Sequence, residues 1–260
     1  MLKIGLLLIT FLIFMSTPST ANATETSSKI LFIHHSTGGN LIKEGNLRDE
    51  IKKLDPTIEL WDHSYNLNPV FKTLLAKFTH LKGLSDNNGK VTGTDYNIVI
   101  SNNSPKEYAD IFSRDLNDSI LKSILDYDVI AFKNCYPTTR IATNEQLEED
   151  IKYYKIIRDN LKKYPSKKFI VFTPPPARKE TTNIEQATRA KKLIEFLNSK
   201  EFIDNSKNIY IFDFYTLLVD ENGYLKKEYS RILPWDSHPN KNANLTVAPI
   251  FAKYLKEITN

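Results

Sequence analysis

The apolar run at residues 30–33 (Ile-Leu-Phe-Ile) has no polar residue between its members. Such a run is typical of a strand that is buried on both faces of a parallel sheet. Ser36 and the pair Gly38 and Gly39 follow within six residues, so we expect a sharp turn into a helix there. Open α/β sheets bind ligands at this edge, beyond the carboxyl ends of their strands. Ser36 is therefore the first candidate functional residue.

Strand and helix patterns alternate through the rest of the chain. Further strands are predicted at residues 57–61, 128–132, 169–173 and 208–214, and helices at 41–54, 144–164, 184–197 and 244–258. This alternation predicts an α/β fold, a three-layer α/β/α sandwich around a mostly parallel five-stranded sheet. Between the second and third strands, we expect a helix at 69–82, a short strand at 96–100 and a helix at 105–125, forming an insertion over the sheet edge.

The N-terminus has the pattern of a secretory signal peptide. Lys3 precedes an apolar run at residues 4–15, and Ala21-Asn22-Ala23 is a small-residue cleavage site. The run is short for a membrane span, and no cysteine follows the cleavage site to carry a lipid. We therefore expect residues 1–23 to be removed, residues 24–260 to form one domain, and the product to be periplasmic or secreted, without stable membrane insertion. An uncleaved N-terminal anchor is the alternative.

The net charge and the cysteine count argue against two features, nucleic-acid binding and a stabilising disulfide. Lys3 is the one charge in the signal segment, so the formal net charge of +4 falls to +3 after cleavage. That small and evenly spread excess does not indicate nucleic-acid binding. Cys135 is the single cysteine, which excludes an internal disulfide after export.

Four of the five histidines, His34, His35, His63 and His238, fall at predicted strand ends or in the last loop. The fold would bring these groups together at one edge of the sheet. A serine hydroxyl becomes a nucleophile when a histidine takes its proton and a carboxylate orients that histidine. Asn134 and the amide of Gly38 or Gly39 would then donate to a developing oxyanion.

Three sequence blocks resemble those of the SGNH (GDSL-type) hydrolase superfamily. Ser36 follows the first strand, Asn134 follows the 128–132 strand, and the sequence Asp236-Ser237-His238-Pro239 lies near the C-terminus. The resemblance implies a flavodoxin-like fold and an esterase or acetylesterase activity without a cofactor. It also implies that Ser36 is the nucleophile, Asn134 an oxyanion donor and His238 the base.

The sequence departs from the family pattern at three places. His34-His35-Ser36-Thr37 stands where the family has Gly-Asp-Ser-Leu, and Phe132 replaces a glycine of the third block. Trp235 occupies the usual acidic position, so Asp236, two residues before His238, becomes the candidate that orients the ring. The glycine of the second block has no clear counterpart, and Asn66 and Gly93 are the candidate substitutes. His35 is a candidate for substrate or backbone contacts.

We therefore expect a secreted serine esterase that acts on a small-molecule or carbohydrate ester. Acetyl is the first candidate for the acyl group that it removes. An O-acyltransferase could use the same residues. A metal-dependent hydrolase with ligands from His34 or His35, Asp62, His63 and His238 is a second alternative, although no close-spaced metal motif is present. A non-catalytic binding protein on the same scaffold is a third. The oligomeric state stays open.

Overall fold

A single six-stranded sheet lies at the centre of the residues that the structure describes. The computed structural model describes residues 27–66, 83–98 and 103–260. The strands are β1 (Ser28–Ile33), β2 (Ile58–His63), β3 (Leu84–Ser85), β4 (Val129–Lys133), β5 (Lys168–Phe172) and β6 (Ile209–Phe212). Their order across the sheet is β3-β2-β1-β4-β5-β6, and every pairing except β2 with β3 is parallel. The mostly parallel α/β prediction is confirmed.

The strand count needs a correction, because the short edge strand β3 was not predicted. Leu84 and Ser85 pair antiparallel with His63 and Asp62 at the end of β2. Two residues carry too little alternation to be recognised as a strand. The strand predicted at 96–100 is not observed over residues 96–98, and residues 99–100 lie outside the described residues. The predicted helix at 69–82 and the predicted signal peptide at 1–23 also lie outside them.

Both faces of the sheet are covered by helices. The helices are α1 (Ser36–Lys43), α2 (Leu47–Leu54), α3 (Pro105–Phe112), α4 (Ser119–Leu125), α5 (Asn144–Leu161), α6 (Ile184–Leu197), α7 (Lys200–Ile203), α8 (Phe214–Leu218) and α9 (Lys241–Thr259). Leu31 and Ile33 of β1 pack with α3 to α7, whereas Ile30 and Phe32 pack with α1, α2, α8 and α9. Successive strand side chains point to opposite faces, which explains why the apolar run is continuous. Within the described ranges, no helix combines the length and the apolar character that a membrane crossing requires.

The strand order places a crevice between β1 and β4. The parallel strands follow the flavodoxin-like order, in which the chain winds one way from β1 to β2 and the other way from β4 onward. Connections from the carboxyl ends of β1 and β4 therefore leave on opposite faces of the sheet. Ser36 follows β1 and Asn134 follows β4, so the topology puts both at this crevice.

Two predicted helices are each divided in the structure. The helix predicted at 41–54 is broken at Gly45 and at Asn46, which has a left-handed φ of 54°. The helix predicted at 105–125 is broken after Phe112, and Asp118 caps a new helix by accepting from the amides of Ile120 and Leu121. Both breaks occur at short polar or glycine-containing segments within a pattern that still has helical periodicity.

Gly45 allows α9 to approach the α1–α2 turn. A Cβ at this position would lie 2.6 Å from the Asn244 carbonyl oxygen in α9 and 2.5 Å from the Leu41 carbonyl oxygen. Asn240 caps α9 by accepting from the Ala243 amide, so α9 begins three residues before its predicted start at 244. The contact at Gly45 thus fixes the N-terminal end of α9 against α1.

We expect Gly45→Ala to lower the free energy of unfolding by about 1–3 kcal/mol, because the new methyl group meets backbone atoms that cannot move independently. Denaturant unfolding followed by circular dichroism measures this change. Gly39→Ala is the matched control, since its Cβ would meet nothing closer than 3.5 Å. Alanine within helix α1 should leave stability unchanged or raise it slightly. Equal stability of the Gly45→Ala protein and the wild type would contradict the packing described.

Candidate active site

Ser36 is the first residue of α1, and two residues, His34 and His35, separate it from the end of β1. His35 occupies the N-cap position and gives no side-chain hydrogen bond to the helix. The first turn of α1 passes close over His34, because a Cβ at Gly38 would lie 2.3 Å from the His34 Cβ. A residue with a side chain at position 38 would push this turn away from the strand end. Ser36 therefore lies at the N-terminus of α1, which is the positive end of the helix dipole, and no side chain among the described residues caps this first turn.

Ser36, His238 and Asp236 form a continuous hydrogen-bonded chain. Ser36 Oγ lies 2.6 Å from His238 Nε2, and His238 Nδ1 lies 2.5 Å from Asp236 Oδ1. The same carboxylate oxygen accepts from the His238 backbone amide at 2.9 Å. A carboxylate only accepts, so Nδ1 carries a proton in the neutral ring and Nε2 accepts from the serine hydroxyl. With one residue between them, Asp236 and His238 are far enough apart in the chain for the carboxylate to reach the ring.

The loop that carries His238 is tied to the far end of α1. Glu44, the residue after α1, accepts from Arg231 at 2.8 Å and from Asn244 Nδ2 at 2.8 Å. Arg231 also donates to the Pro239 carbonyl oxygen at 3.1 Å. This carboxylate joins α1, the histidine loop and α9 at one point, so Ser36 and His238 are positioned by the same set of contacts.

A second arginine, Arg178, also binds the loop that carries His238. The Arg178 guanidinium donates to the carbonyl oxygens of Arg231 and Leu233 at 2.8 and 2.7 Å. Its backbone amide donates to Ser237 Oγ at 3.2 Å. Ser237, between Asp236 and His238, is fully buried. The loop is thus held through its own backbone, which is consistent with a fixed position for the imidazole.

Asn134 presents a buried amide donor beside this chain. The Tyr154 hydroxyl donates to Asn134 Oδ1 at 3.0 Å, which sets the orientation of the amide. Among the described residues, Asn134 Nδ2 is buried and has no hydrogen-bond acceptor. An unsatisfied buried donor costs about 1–3 kcal/mol, so its presence calls for an explanation. Cys135, the next residue, has its Sγ 3.9 Å from Ser36 Oγ, which places this strand end at the nucleophile.

The electrostatics of the site favour a protonatable histidine. Burial opposes the charged form of His238, but contacts with Cys135 and Asp236 outweigh it and raise the pKa of His238 above its ordinary value. Burial also raises the pKa of Asp236, but its hydrogen bonds with His238 and the Arg231 charge outweigh that and lower the pKa. For Cys135, burial is outweighed by His238 and Lys133, so its pKa falls to about 7. The carboxylate stays ionised while the imidazole can accept and return a proton.

The other predicted residues occupy different positions. The Gly39 amide donates to the His35 carbonyl oxygen at 2.9 Å, so this amide is used within α1, and the prediction that it serves as an oxyanion donor needs correction. Gly38 packs against His34, as described above. The His35 ring is buried and stacks on Tyr65, with ring centroids 3.8 Å apart. Asn66 follows β2, and its buried Oδ1 has no donor among the described residues.

A cavity of about 280 Å³ opens beside Ser36, on the side of the first strand end. In the described part of the chain, its lining mixes polar and apolar side chains from the end of β1, from α1, α2 and β2, and from the turn after β3. Asn66 is not among these lining residues. The lining residues are His34, His35, Ser36, Gly39, Asn40, Ile42, Lys43, Arg48, Asp62, Ser64, Tyr65, Ser85 and Gly89. The volume and mixed lining suit a small polar ligand.

The proposed metal ligands are not brought together. His34 Nε2 contacts Asp62 Oδ2 at 3.0 Å, and His63 Nε2 contacts Asp95 Oδ1 at 3.2 Å. His238 is engaged with Ser36 and Asp236. Within the ranges that the structure describes, no three histidine, cysteine or acidic side chains form a metal-binding group. His34 and Asp62 instead pair with each other, whereas His63 and His238 each have other partners.

Several supporting residues could not have been found from the sequence. Tyr154 has the helical spacing of an ordinary core residue, and Glu44 and Arg231 are ordinary surface residue types separated by 187 positions. Their roles depend on which elements become neighbours, and no local pattern encodes that. The position of Lys133 is also not evident from the sequence, because its side chain is buried and donates to Thr37, the neighbour of Ser36.

Comparison with known proteins establishes the fold. No protein-family model and no curated protein matches the sequence. A GDSL-like lipase from Bacteroides thetaiotaomicron is 12% identical with a TM-score of 0.51, over 90% of this chain and 90% of that one. A candidate acylhydrolase from Bacteroides fragilis is also 12% identical with a TM-score of 0.51, over 91% and 90% of the two chains. A gut microbial diltiazem-metabolizing enzyme is 12% identical with a TM-score of 0.52, over 87% of this chain but 46% of that one. The chain has the fold of these GDSL-like proteins.

We expect Asp236→Asn to lower the pKa of His238, because the imidazolium loses the carboxylate that stabilises it. Titration of the His238 ring nitrogens by nuclear magnetic resonance measures this directly. Asp159→Asn, on the exposed face of α5, is the control and should leave the titration unchanged. An unaltered His238 titration in the Asp236→Asn protein would show that this carboxylate does not act on the ring.

Proposed function

We propose that this protein is a serine ester hydrolase of the SGNH type. The observation that carries the proposal is the Ser36–His238–Asp236 chain, with both hydrogen bonds at or below 2.6 Å. In such an arrangement the histidine takes the serine proton and the carboxylate stabilises the imidazolium that forms. The GDSL-like fold is independent support, since its crevice is where the three side chains meet.

The reaction proceeds in two halves. Ser36 Oγ attacks the ester carbonyl carbon while His238 Nε2 takes the hydroxyl proton, giving a tetrahedral intermediate. Asn134 Nδ2 and the N-terminal amides of α1 donate to the oxyanion. His238 returns the proton to the leaving alcohol, and the acyl group stays on Ser36. Water then attacks the acyl carbon with His238 as base, which releases the carboxylic acid and restores the serine.

The cavity beside Ser36 supports a small substrate. Its volume of about 280 Å³ can hold a short acyl group or one sugar ring, and its lining mixes hydroxyl, imidazole and basic side chains. We propose a short-chain ester, with an acetylated carbohydrate as the first candidate. Transfer of the acyl group to a sugar hydroxyl instead of water would use the same residues, and analysis of products in the presence of a sugar acceptor separates the two.

The N-terminal segment supports a location outside the cytoplasm. A basic residue, an apolar run and the Ala21-Asn22-Ala23 site are the features of a signal peptide. We propose that the chain is exported and cleaved after Ala23. An intact mass of the mature protein that corresponds to a start at Thr24 would support this, whereas retention of residues 1–23 in the exported protein would contradict it.

We expect Ser36→Ala and His238→Ala each to reduce kcat for p-nitrophenyl acetate by about 10⁴-fold or more, since the nucleophile and its base act as one unit. A fluorophosphonate should label the wild type once, on Ser36, and should not label Ser36→Ala.

Ser123→Ala is the matched control for this experiment. Ser123 is a half-buried α4 residue whose hydroxyl donates to the Ser119 carbonyl oxygen in an exposed hydrogen bond, away from the site. It should retain full activity and labelling. Equal labelling of Ser36→Ala and wild type would rule out Ser36 as the nucleophile, and absence of labelling in the wild type would favour a binding protein.

A further inference from the structure

Lys133 is a buried cation without a carboxylate partner. It is the last residue of β4, and 1% of its surface is exposed. Its ammonium donates to Thr37 Oγ1, and no acidic side chain pairs with it in the described part of the chain. Burial lowers the pKa of Lys133 to about 8, an effect that nearby Cys135 partly opposes. An ammonium ion taken out of water without a counter-ion is costly.

The cation lies directly behind the proposed nucleophile. Thr37, which receives the hydrogen bond, follows Ser36 in the first turn of α1 and is fully buried. Thr37 Oγ1 is 3.7 Å from Cys135 Sγ, and that sulfur is 3.9 Å from Ser36 Oγ. The Lys133 ammonium is therefore connected to Ser36 along the helix backbone from Thr37, and also through the Thr37 hydroxyl and the Cys135 sulfur.

Packing alone does not account for a lysine at this position. A methionine has a similar length and would fill the same buried space without the cost of desolvating a charge. Replacement of buried charges by apolar residues of similar volume is often neutral or stabilising. A charge that is retained despite this cost and that lies beside a reacting serine points to an electrostatic contribution there.

We propose that Lys133 is a positioning residue of the serine site, whose buried positive charge stabilises the negative charge that develops at Ser36 and the acyl oxygen. Its hydrogen bond to Thr37 also fixes the first turn of α1. This inference rests on the proposed esterase function, because it requires an anionic transition state at Ser36. Lys133 would act on Ser36 through the electrostatic field of its charge and through its hydrogen bond to Thr37, without contact with the substrate.

Lys133 is charged only while its amine is protonated, so the proposal predicts a specific pH dependence of the esterase activity. The titratable groups around Lys133 are Cys135, Tyr108 of α3, whose hydroxyl donates to the Lys133 carbonyl oxygen at 3.1 Å, and His238 beyond Cys135. Burial raises the pKa of Tyr108 well above its ordinary value, so this phenol stays neutral. Activity should rise as His238 loses its proton and should fall again above about pH 8, as Lys133 loses its own.

Cys135 must be separated from Lys133 in the experiment, because a thiolate would offset the ammonium charge. The pH dependence of activity is therefore measured in the wild type and in Cys135→Ala. The alkaline fall should remain in Cys135→Ala, where the thiol can no longer contribute. Loss of the alkaline fall in Cys135→Ala would assign it to the thiol and overturn the inference.

The decisive variant is Lys133→Met. We expect kcat to fall about 10- to 100-fold with KM little changed, because the lost interaction stabilises the transition state more than the bound ester. The alkaline fall should disappear. Thermal unfolding should show the variant to be as stable as the wild type or more stable, which a purely structural role would not produce.

Two further variants provide controls. Thr37→Val should reduce kcat and Thr37→Ser should restore it, since serine keeps the hydroxyl that receives the hydrogen bond. Lys133→Arg keeps a charge that does not titrate in this range, so it should lose the alkaline fall while it keeps more activity than Lys133→Met.

The outcomes distinguish this inference from the proposed function. If fluorophosphonate labels Ser36 at the same rate and with the same pH dependence in Lys133→Met and wild type, the inference fails and the esterase proposal stands. If wild-type Ser36 is not labelled, the esterase proposal itself fails. If Lys133→Met does not fold, the wild-type and Cys135→Ala profiles decide, because a profile without an alkaline fall overturns the inference.

Discussion

The hydrogen bond between Ser36 and His238 joins residues that are 202 positions apart. It exists because α9 and the loop before it are fixed against α1. Glu44 binds Arg231 and Asn244 at this junction, and Gly45 lets the α9 backbone come close. The crevice between β1 and β4 supplies the other side of the site. A change that separates α9 from α1 would move the base away from the serine without touching either residue.

The site combines several polar groups whose burial is costly. Asn134 Nδ2 is buried without an acceptor among the described residues, and Lys133 is buried without a carboxylate partner among them. Each is held by a single neutral hydroxyl, Tyr154 for the amide and Thr37 for the ammonium. In the proposed reaction, negative charge forms beside Ser36 and interacts favourably with both groups. The fold therefore pays in stability for donors and charge that are already oriented before the substrate arrives.

The sequence was sufficient to predict the five parallel strands of the sheet, with Ser36 and Asn134 at strand ends, because uninterrupted apolar runs identify buried strands and their polar ends. Asp236 was found because residues two apart in a loop can face the same way. The division of the first helix at Gly45 was missed, since helical periodicity continues through it and the cause is the approach of α9. Burial of Lys133 was also missed, because the sequence does not show what packs over the end of a strand.

The central claim is that Ser36 is activated by His238 and that its oxyanion is received by Asn134. The most direct measurement is a crystal structure of the protein after reaction with a fluorophosphonate, which mimics the tetrahedral intermediate. The account predicts phosphorus bonded to Ser36 Oγ and a phosphonyl oxygen within hydrogen-bond distance, about 2.7–3.1 Å, of Asn134 Nδ2. Phosphorus on another residue, or a phosphonyl oxygen directed away from Asn134, would contradict it.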